Sequence, residues 1–326
     1  MLMALCAFAA AVTPFAARAQ QSARVRRIAV LLGQSEKTPG AQSRYAAFKE
    51  SLEGLGWTEG RNASIDLRWT EGDVNRTSAL ARELVASQPD VIVCTTTAVT
   101  TALQRETRTI PIVFIAVSDP VGSGFVKTLS RPGGNITGFT DLESSLIEKS
   151  LELLKELAPR VRRVAVMFNP DTAPYAEYYL RPLKTVGPKL GVKTFAATVR
   201  SESDIQEAIA GLAREPGGGL IVMPDSFLGI HSKSTIALAA RHKIPGVYFA
   251  GPWVESGGLS SYGVDIVDLR RRAASYVDRI LRGAKPAELP VQQPAKFELF
   301  INLHTAKTLG LSIPQSLLLR ADKVIE

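Results

Sequence analysis

The chain of 326 residues is longer than one hydrophobic core normally supports, and with 45% hydrophobic residues it has material for two. Its formal net charge is +8, but the basic clusters Arg24–Arg27, Arg160–Arg163 and Arg270–Arg272 precede strands or start a helix. They are not gathered on one face with stacking aromatics, so the charge reads as solvated surface and speaks against nucleic acid.

Met1 to Gln20 is apolar and alanine-rich and ends in Ala17-Arg18-Ala19, a small-x-small cleavage pattern, so residues 1–19 are expected to be a secretory signal peptide. Its apolar run is too short to span a bilayer, and no later stretch is long enough without charge. Removing it leaves Cys94 as a lone thiol, unable to form an intramolecular disulfide. Export without disulfides points to a bacterial periplasm.

Ile28 to Leu32 reads as the first strand, with Gly33-Gln34-Ser35 at its carboxyl end. A helix over 41–55 follows, with Tyr45, Phe48, Leu52 and Leu55 on one stripe. Ala63 to Trp69 alternates as a second strand, and Asp73 can cap a helix reaching Val85. The third strand, Val91 to Cys94, ends in Thr95-Thr96-Thr97 and passes into a helix extending to about Arg108. Hydroxyls and unpaired amides at that helix start suit an anion, and helix capping by Thr explains them equally well. Pro111 to Val117 is the fourth strand, ending in Ser118-Asp119-Pro120, and Ile136 to Phe139 is expected to lead out of this first lobe.

The second lobe opens with a helix from Ser144 to Leu157 and a strand from Val164 to Phe168, ending in Asn169-Pro170-Asp171. A helix from about Tyr175 to Leu190, a strand from Val192 to Ala197 and a helix starting at Ser203 or Asp204 come next. Leu220 to Met223 closes with Pro224-Asp225-Ser226, and Val247 to Ala250 precedes Gly251-Pro252-Trp253. Leu259 to Val264 reads as a return strand to the first lobe, Asp268 to Leu281 as a helix there, and Lys296 to Asn302 as a third crossing.

The two halves echo each other. Arg160-Val161-Arg162-Arg163-Val164-Ala165-Val166 repeats Arg24-Val25-Arg26-Arg27-Ile28-Ala29-Val30, and Ile244-Pro245-Gly246-Val247 repeats Ile110-Pro111-Ile112-Val113. These short β-branched runs read as strands buried on both faces of parallel sheets. The expected fold is α/β, with two Rossmann-like lobes joined by three crossover segments. One lobe takes 24–138 plus 265–292, the other 139–264 plus 293–326.

Open parallel sheets bind ligands outside the carboxyl ends of their strands. The first lobe offers Gln34, Thr95, Thr96, Thr97, Ser118 and Asp119 there; the second offers Asn169, Asp171, Asp225, Ser226, Phe227 and Trp253, with Tyr262 and Asp265 near a crossing. Hydroxyls and a helix start suit a carboxylate, aspartates an ammonium and aromatics an apolar body, so the set suits an amino acid. Turn and cap chemistry competes for every aspartate, and core packing for every aromatic. No nucleophile elbow, P-loop or dinucleotide fingerprint follows a strand, and His231, His242 and His304 lack metal-ligand spacing, so neither an enzyme nor a cofactor is expected.

Ile110-Pro111-Ile112-Val113-Phe114 with Ser118-Asp119-Pro120-Val121-Gly122, Arg131-Pro132-Gly133-Gly134-Asn135-Ile136-Thr137-Gly138, Gly257-Gly258-Leu259-Ser260-Ser261-Tyr262-Gly263 and Lys296-Phe297-Glu298-Leu299-Phe300-Ile301-Asn302 carry a family resemblance. With these motifs the chain resembles the exported substrate-binding proteins of ABC transporters with the type I periplasmic-binding fold, in the branch of tryptophan- and phenylalanine-binding TrpX-like members. The resemblance implies a monomeric bilobed receptor that closes on a small solute and delivers it to an inner-membrane ABC permease. A ligand-sensing module for a membrane kinase or chemoreceptor, and an enzyme using interlobe aspartates, are the alternatives.

Overall fold

The computed structural model describes residues 24–38, 40–141 and 145–326. The expected signal peptide and Ser144 lie outside the described residues. In chain order the first elements are β1 (Arg26–Leu32), α1 (Ala41–Gly54), β2 (Ala63–Trp69), α2 (Val74–Ala86), β3 (Val91–Thr95), α3 (Thr97–Glu106), β4 (Ile112–Val117) and β5 (Ile136–Thr140). Then come α4 (Ser145–Leu157), β6 (Arg163–Phe168), α5 (Ala176–Lys189), β7 (Lys193–Thr198), α6 (Glu202–Ala213), β8 (Gly218–Val222), α7 (Ser226–Ile230), α8 (Ser232–Arg241), β9 (Gly246–Tyr248) and α9 (Gly251–Glu255). The last are β10 (Ser260–Val264), α10 (Ile266–Leu281), β11 (Phe297–Asn302), α11 (Leu303–Thr308), α12 (Gln315–Leu318) and β12 (Lys323–Ile325).

Two sheets result. One has five strands in the order β2-β1-β3-β4-β5, all parallel. The other has seven in the order β12-β11-β10-β9-β8-β6-β7. Strand alternation explains why each sheet is covered on both faces. In β1, Ile28, Val30 and Leu32 join one apolar cluster while Ala29 and Leu31 join another. In β6, Val164, Val166 and Phe168 face one side, Ala165 and Met167 the other. α10 packs Leu269, Ala273 and Val277 into the cluster under β1, so this late helix covers the first sheet.

The structure differs from expectation around the crossings. β10 and β11 both belong to the seven-stranded sheet and pair antiparallel, so neither is itself a return strand and that sheet is not wholly parallel. β5 stays with the five-stranded sheet through Thr140, two residues past the expected boundary at 138. The connecting segments are tied together. Thr140 N donates to Gln292 O at 2.9 Å, and Gln292 N to Gly138 O at 2.9 Å. Asp265 N donates to Lys296 O at 3.2 Å, and Lys296 Nζ to Asp265 Oδ2 at 3.1 Å. Among the described residues no helix is long and apolar enough to cross a membrane.

Candidate functional site

A cavity of about 170 Å³ lies between the carboxyl-end loops of the two sheets. A void of roughly 150 Å³ lined by apolar side chains accepts one benzene ring, which sets the scale. Gln34, Thr95 and Thr96 line it from the loops after β1 and β3; Asp225, Ser226, Trp253 and Tyr262 line it from the other sheet.

The loops after β1 and β3 brace each other. Gly33 N donates to Thr95 Oγ1 at 2.9 Å. A Cβ on Gly33 would stand 2.7 Å from Thr96 Oγ1, so glycine is required by close approach. Thr96 itself has φ 71° and ψ 154°, a region that a β-branched residue enters only when its surroundings force it. Ala116, at a register shift in β4, also has a positive φ of 57° and lines the cavity. Backbone strain is thus held at two strand ends that face the cavity.

The second lobe supplies the aromatic wall. Trp253 is buried, stacked on Tyr248 with centroids 5.0 Å apart and edge-on to Phe249 at 5.5 Å. Tyr175 donates its hydroxyl to Pro224 O, and Tyr175 and Tyr179 pack edge-to-face at 6.0 Å. Tyr262 stacks on Phe297 at 6.1 Å.

Seven expected contacts lie outside the lining. Asp119 accepts from Gly122 N at 2.8 Å and closes a turn. Asp171 is an exposed partner of Arg200 at 3.3 Å. Asp265 caps α10 by accepting from Asp268 N at 2.9 Å; burial raises its pKa, but that bond and Lys296 outweigh it and hold the carboxyl below its usual range. Asn169 accepts from Asp171 N at 2.8 Å, and Phe227 packs on His231 with the rings tilted and centroids 4.4 Å apart. Thr97 is buried in the first turn of α3, and Ser118 is buried with its hydroxyl beside the Asp141 carboxyl.

Asp225 lines the cavity but is already saturated. It accepts from Asn169 N at 2.5 Å, Thr172 Oγ1 at 2.6 Å, Phe227 N at 2.7 Å and Leu228 N at 3.3 Å. It clasps two loops and caps α7. Burial raises its pKa, and these donors oppose the rise.

Four lining residues have unmet polar needs, the buried Tyr179 hydroxyl and three others. Among the described residues, Gln34 Nε2, Arg270 Nε and Asp141 Oδ1 are buried without a partner. Buried polar atoms are almost always bonded, so each exception calls for an explanation. Arg270, expected on the surface with Arg271 and Arg272, is 3% exposed, and burial with the nearby charge of Arg44 pulls its pKa down to about 9. Burial likewise lowers Arg44, another lining residue, to about 10. Burial pushes Asp141 up to about 6, with the Ser118 hydroxyl opposing. Burial first, then the charge of Asp141, raises the phenols of Tyr175 and Tyr179 well above their ordinary value.

Sequence reasoning missed Arg270, Asp141 and Arg44. Arg270 carried one signal: it precedes Ala273, Ala274 and Val277 by three, four and seven residues, on the apolar stripe of its helix. Asp141 immediately follows a strand expected to lead between lobes, which places a carboxylate at the cleft.

A two-lobed α/β protein with an aromatic-walled cavity between strand ends has the architecture of a type I periplasmic binding protein. Residues 28–325 match the model of the ABC transporter substrate binding protein family, and the chain belongs to that family of solute-binding proteins. It is 28% identical over 281 residues to a tyrosine-binding protein of Clostridioides difficile (strain R20291), covering 86% of this chain and 80% of that one. An ABC domain from Streptococcus pneumonia in complex with L-Trp is 27% identical, with TM-score 0.84 over 92% of this chain and 99% of its own. The ligand-free, open structure of a substrate binding protein with adhesive properties from Clostridium difficile is also 27% identical over 92% and 99%, with TM-score 0.68.

Proposed function

We propose that this protein is the receptor of an ABC importer for an aromatic α-amino acid. It takes the solute in the cavity between lobes 24–138 plus 265–292 and 139–264 plus 293–326. The observation that carries the reading is the pairing of unmet charges of opposite sign, Arg270 and Asp141, in one cavity otherwise walled by Tyr175, Tyr179, Phe249 and Trp253. A zwitterion with an aromatic body answers all three needs: an acceptor for guanidinium, a donor for carboxylate and apolar area against rings.

The names of two relatives support the ligand class, since one is called tyrosine-binding and the other holds L-Trp. At equal identity and coverage, the chain superposes better on the L-Trp complex (0.84) than on the open, ligand-free relative (0.68), which supports a closed lobe arrangement. In this reading residues 1–19 direct export to the periplasm, the protein acts as a monomer, and the closed, loaded form docks on an inner-membrane permease. Ligand favours closure because only the closed form touches it from both sides.

The test is calorimetry on protein unfolded and refolded to remove carried-over solute, titrated with L-tyrosine, L-tryptophan, L-phenylalanine, L-glutamate and allitol. At least one aromatic amino acid should bind at micromolar concentration or below, and the last two should not. Correctly folded protein that gives neither heat nor thermal stabilisation with any of the three aromatics sinks the reading.

A further inference from the structure

We infer that Arg270 is the specificity-determining residue for the carboxylate of the solute, and that the first lobe supplies this subsite by itself. The inference rests on the amino-acid reading of the cavity. Its ground is the arrangement of donors. Arg270 comes from α10, Arg44 from α1 and Gln34 from the loop after β1, all elements packed on the five-stranded sheet, and all three line the cavity. Arg270 Nε and Gln34 Nε2 have no acceptor among the described residues.

Arg44 lies near enough to Arg270 for its charge to act on it. A guanidinium that is 3% exposed beside a second cation is costly unless an anion joins it. It is still charged at neutral pH, since burial leaves its pKa at about 9. Arg270 Nε and Gln34 Nε2, both without an acceptor, line one cavity and complement a carboxylate, and arginine presents a fork matched to that shape.

Two consequences follow. Because the donors belong to one lobe, a carboxylate can dock before closure, and the aromatic wall of the other lobe then shuts on the ring. A ligand without a carboxylate leaves the buried Arg270 guanidinium unanswered, so it is rejected even when its ring fits.

The experiment compares the parent protein with Arg270→Met and Arg270→Lys. Each is titrated by calorimetry with L-tyrosine, L-tryptophan, 3-phenylpropionate (carboxylate without ammonium) and 2-phenylethylamine (ammonium without carboxylate). The melting temperature of each ligand-free protein is also recorded. The parent should bind an amino acid and, more weakly, 3-phenylpropionate, but not 2-phenylethylamine. Arg270→Met should lose about 100-fold or more for every carboxylate ligand. Its ligand-free melting temperature should equal or exceed the parent's, because the change removes an unanswered buried charge; a merely structural arginine would lower it. Arg270→Lys keeps the charge without the fork and should lose about tenfold.

Affinity within threefold of the parent in either variant, amine binding as tight as amino acid binding, or a melting temperature several degrees lower in Arg270→Met overturns the assignment. If Arg270→Met does not fold, Arg270→Lys decides. A parent that binds 3-phenylpropionate through Arg270 but no amino acid leaves the carboxylate subsite standing and removes the amino-acid reading. A parent that binds no carboxylate removes both.

Discussion

Replacing Asp141 by Asn should stabilise the ligand-free protein at pH 7.5 and leave it nearly unchanged at pH 4. Burial holds the Asp141 carboxyl at about 6 against an ordinary value of 3.8, with the Ser118 hydroxyl and the residue's own backbone amide set against it. The folded protein therefore keeps a proton between about pH 4 and 6 that the unfolded chain gives up. Stability from this group is full below pH 3.8, declines as pH rises through the window and is lost above 6. The gap between 3.8 and about 6 corresponds to about 3 kcal/mol. Asparagine carries no charge to desolvate, so the variant should lead by up to that amount at pH 7.5. Urea unfolding of parent and variant at half-unit steps from pH 4 to 8 measures the difference, and contributions of Asp225 and other groups cancel in it. A difference that is flat with pH, or that favours the parent at high pH, refutes the assignment of a buried, unanswered carboxylate.

Amino-acid affinity should rise with pH between about 5 and 6.5, by up to tenfold per unit at the low end, because an ammonium pairs with Asp141 only after its proton leaves. Calorimetry at pH 5.5 in buffers of different ionisation enthalpy should show proton release, and none would exclude Asp141 as the ammonium partner. Asp225→Ala should cost about 2–4 kcal/mol in urea unfolding, since four donors lose their acceptor. Asp119→Ala removes one turn bond to Gly122 and should cost about 1 kcal/mol or less with affinity within twofold; similar behaviour of the two variants would contradict the clasp role. Gly33→Ala places a methyl 2.7 Å from Thr96 Oγ1 and 3.0 Å from its Cγ2. It should cost about 1–3 kcal/mol and weaken binding severalfold, and parent-like affinity would show that the two loops are not braced through this contact.

The strand cores were legible because each is a continuous apolar run whose residues go alternately to two buried faces, as Val91 to Cys94 do. Strand partnership was less so. Ser260–Val264 has a readable extended pattern, but only tertiary packing decides that β11 joins it antiparallel within the second sheet. β9 ends at Tyr248, two residues earlier than expected, because Ala250 serves as the N-cap of α9 and Phe249 turns to the cavity wall. The aspartates followed local chemistry. Asp119, Asp171, Asp225 and Asp265 sit beside prolines or at helix starts, and there short-range bonds to backbone amides or a surface arginine hold them. The groups with unmet charge were hidden by their neighbours: Arg270 in a triple-arginine run that looks solvated, and Asp141 after a strand with no turn signal.

Those two groups connect selectivity to motion. Between the lobes a guanidinium nitrogen and a carboxylate oxygen are buried without a partner among the described residues. Each is therefore a cost that this lobe arrangement carries until a solute meets it. A solute carrying both charges and a ring turns two costs of closure into two ion pairs and covers the aromatic wall as well. A solute carrying one charge leaves the other cost in place. In the proposed function, the same atoms that select the solute thus also set how far it shifts the balance between lobe arrangements.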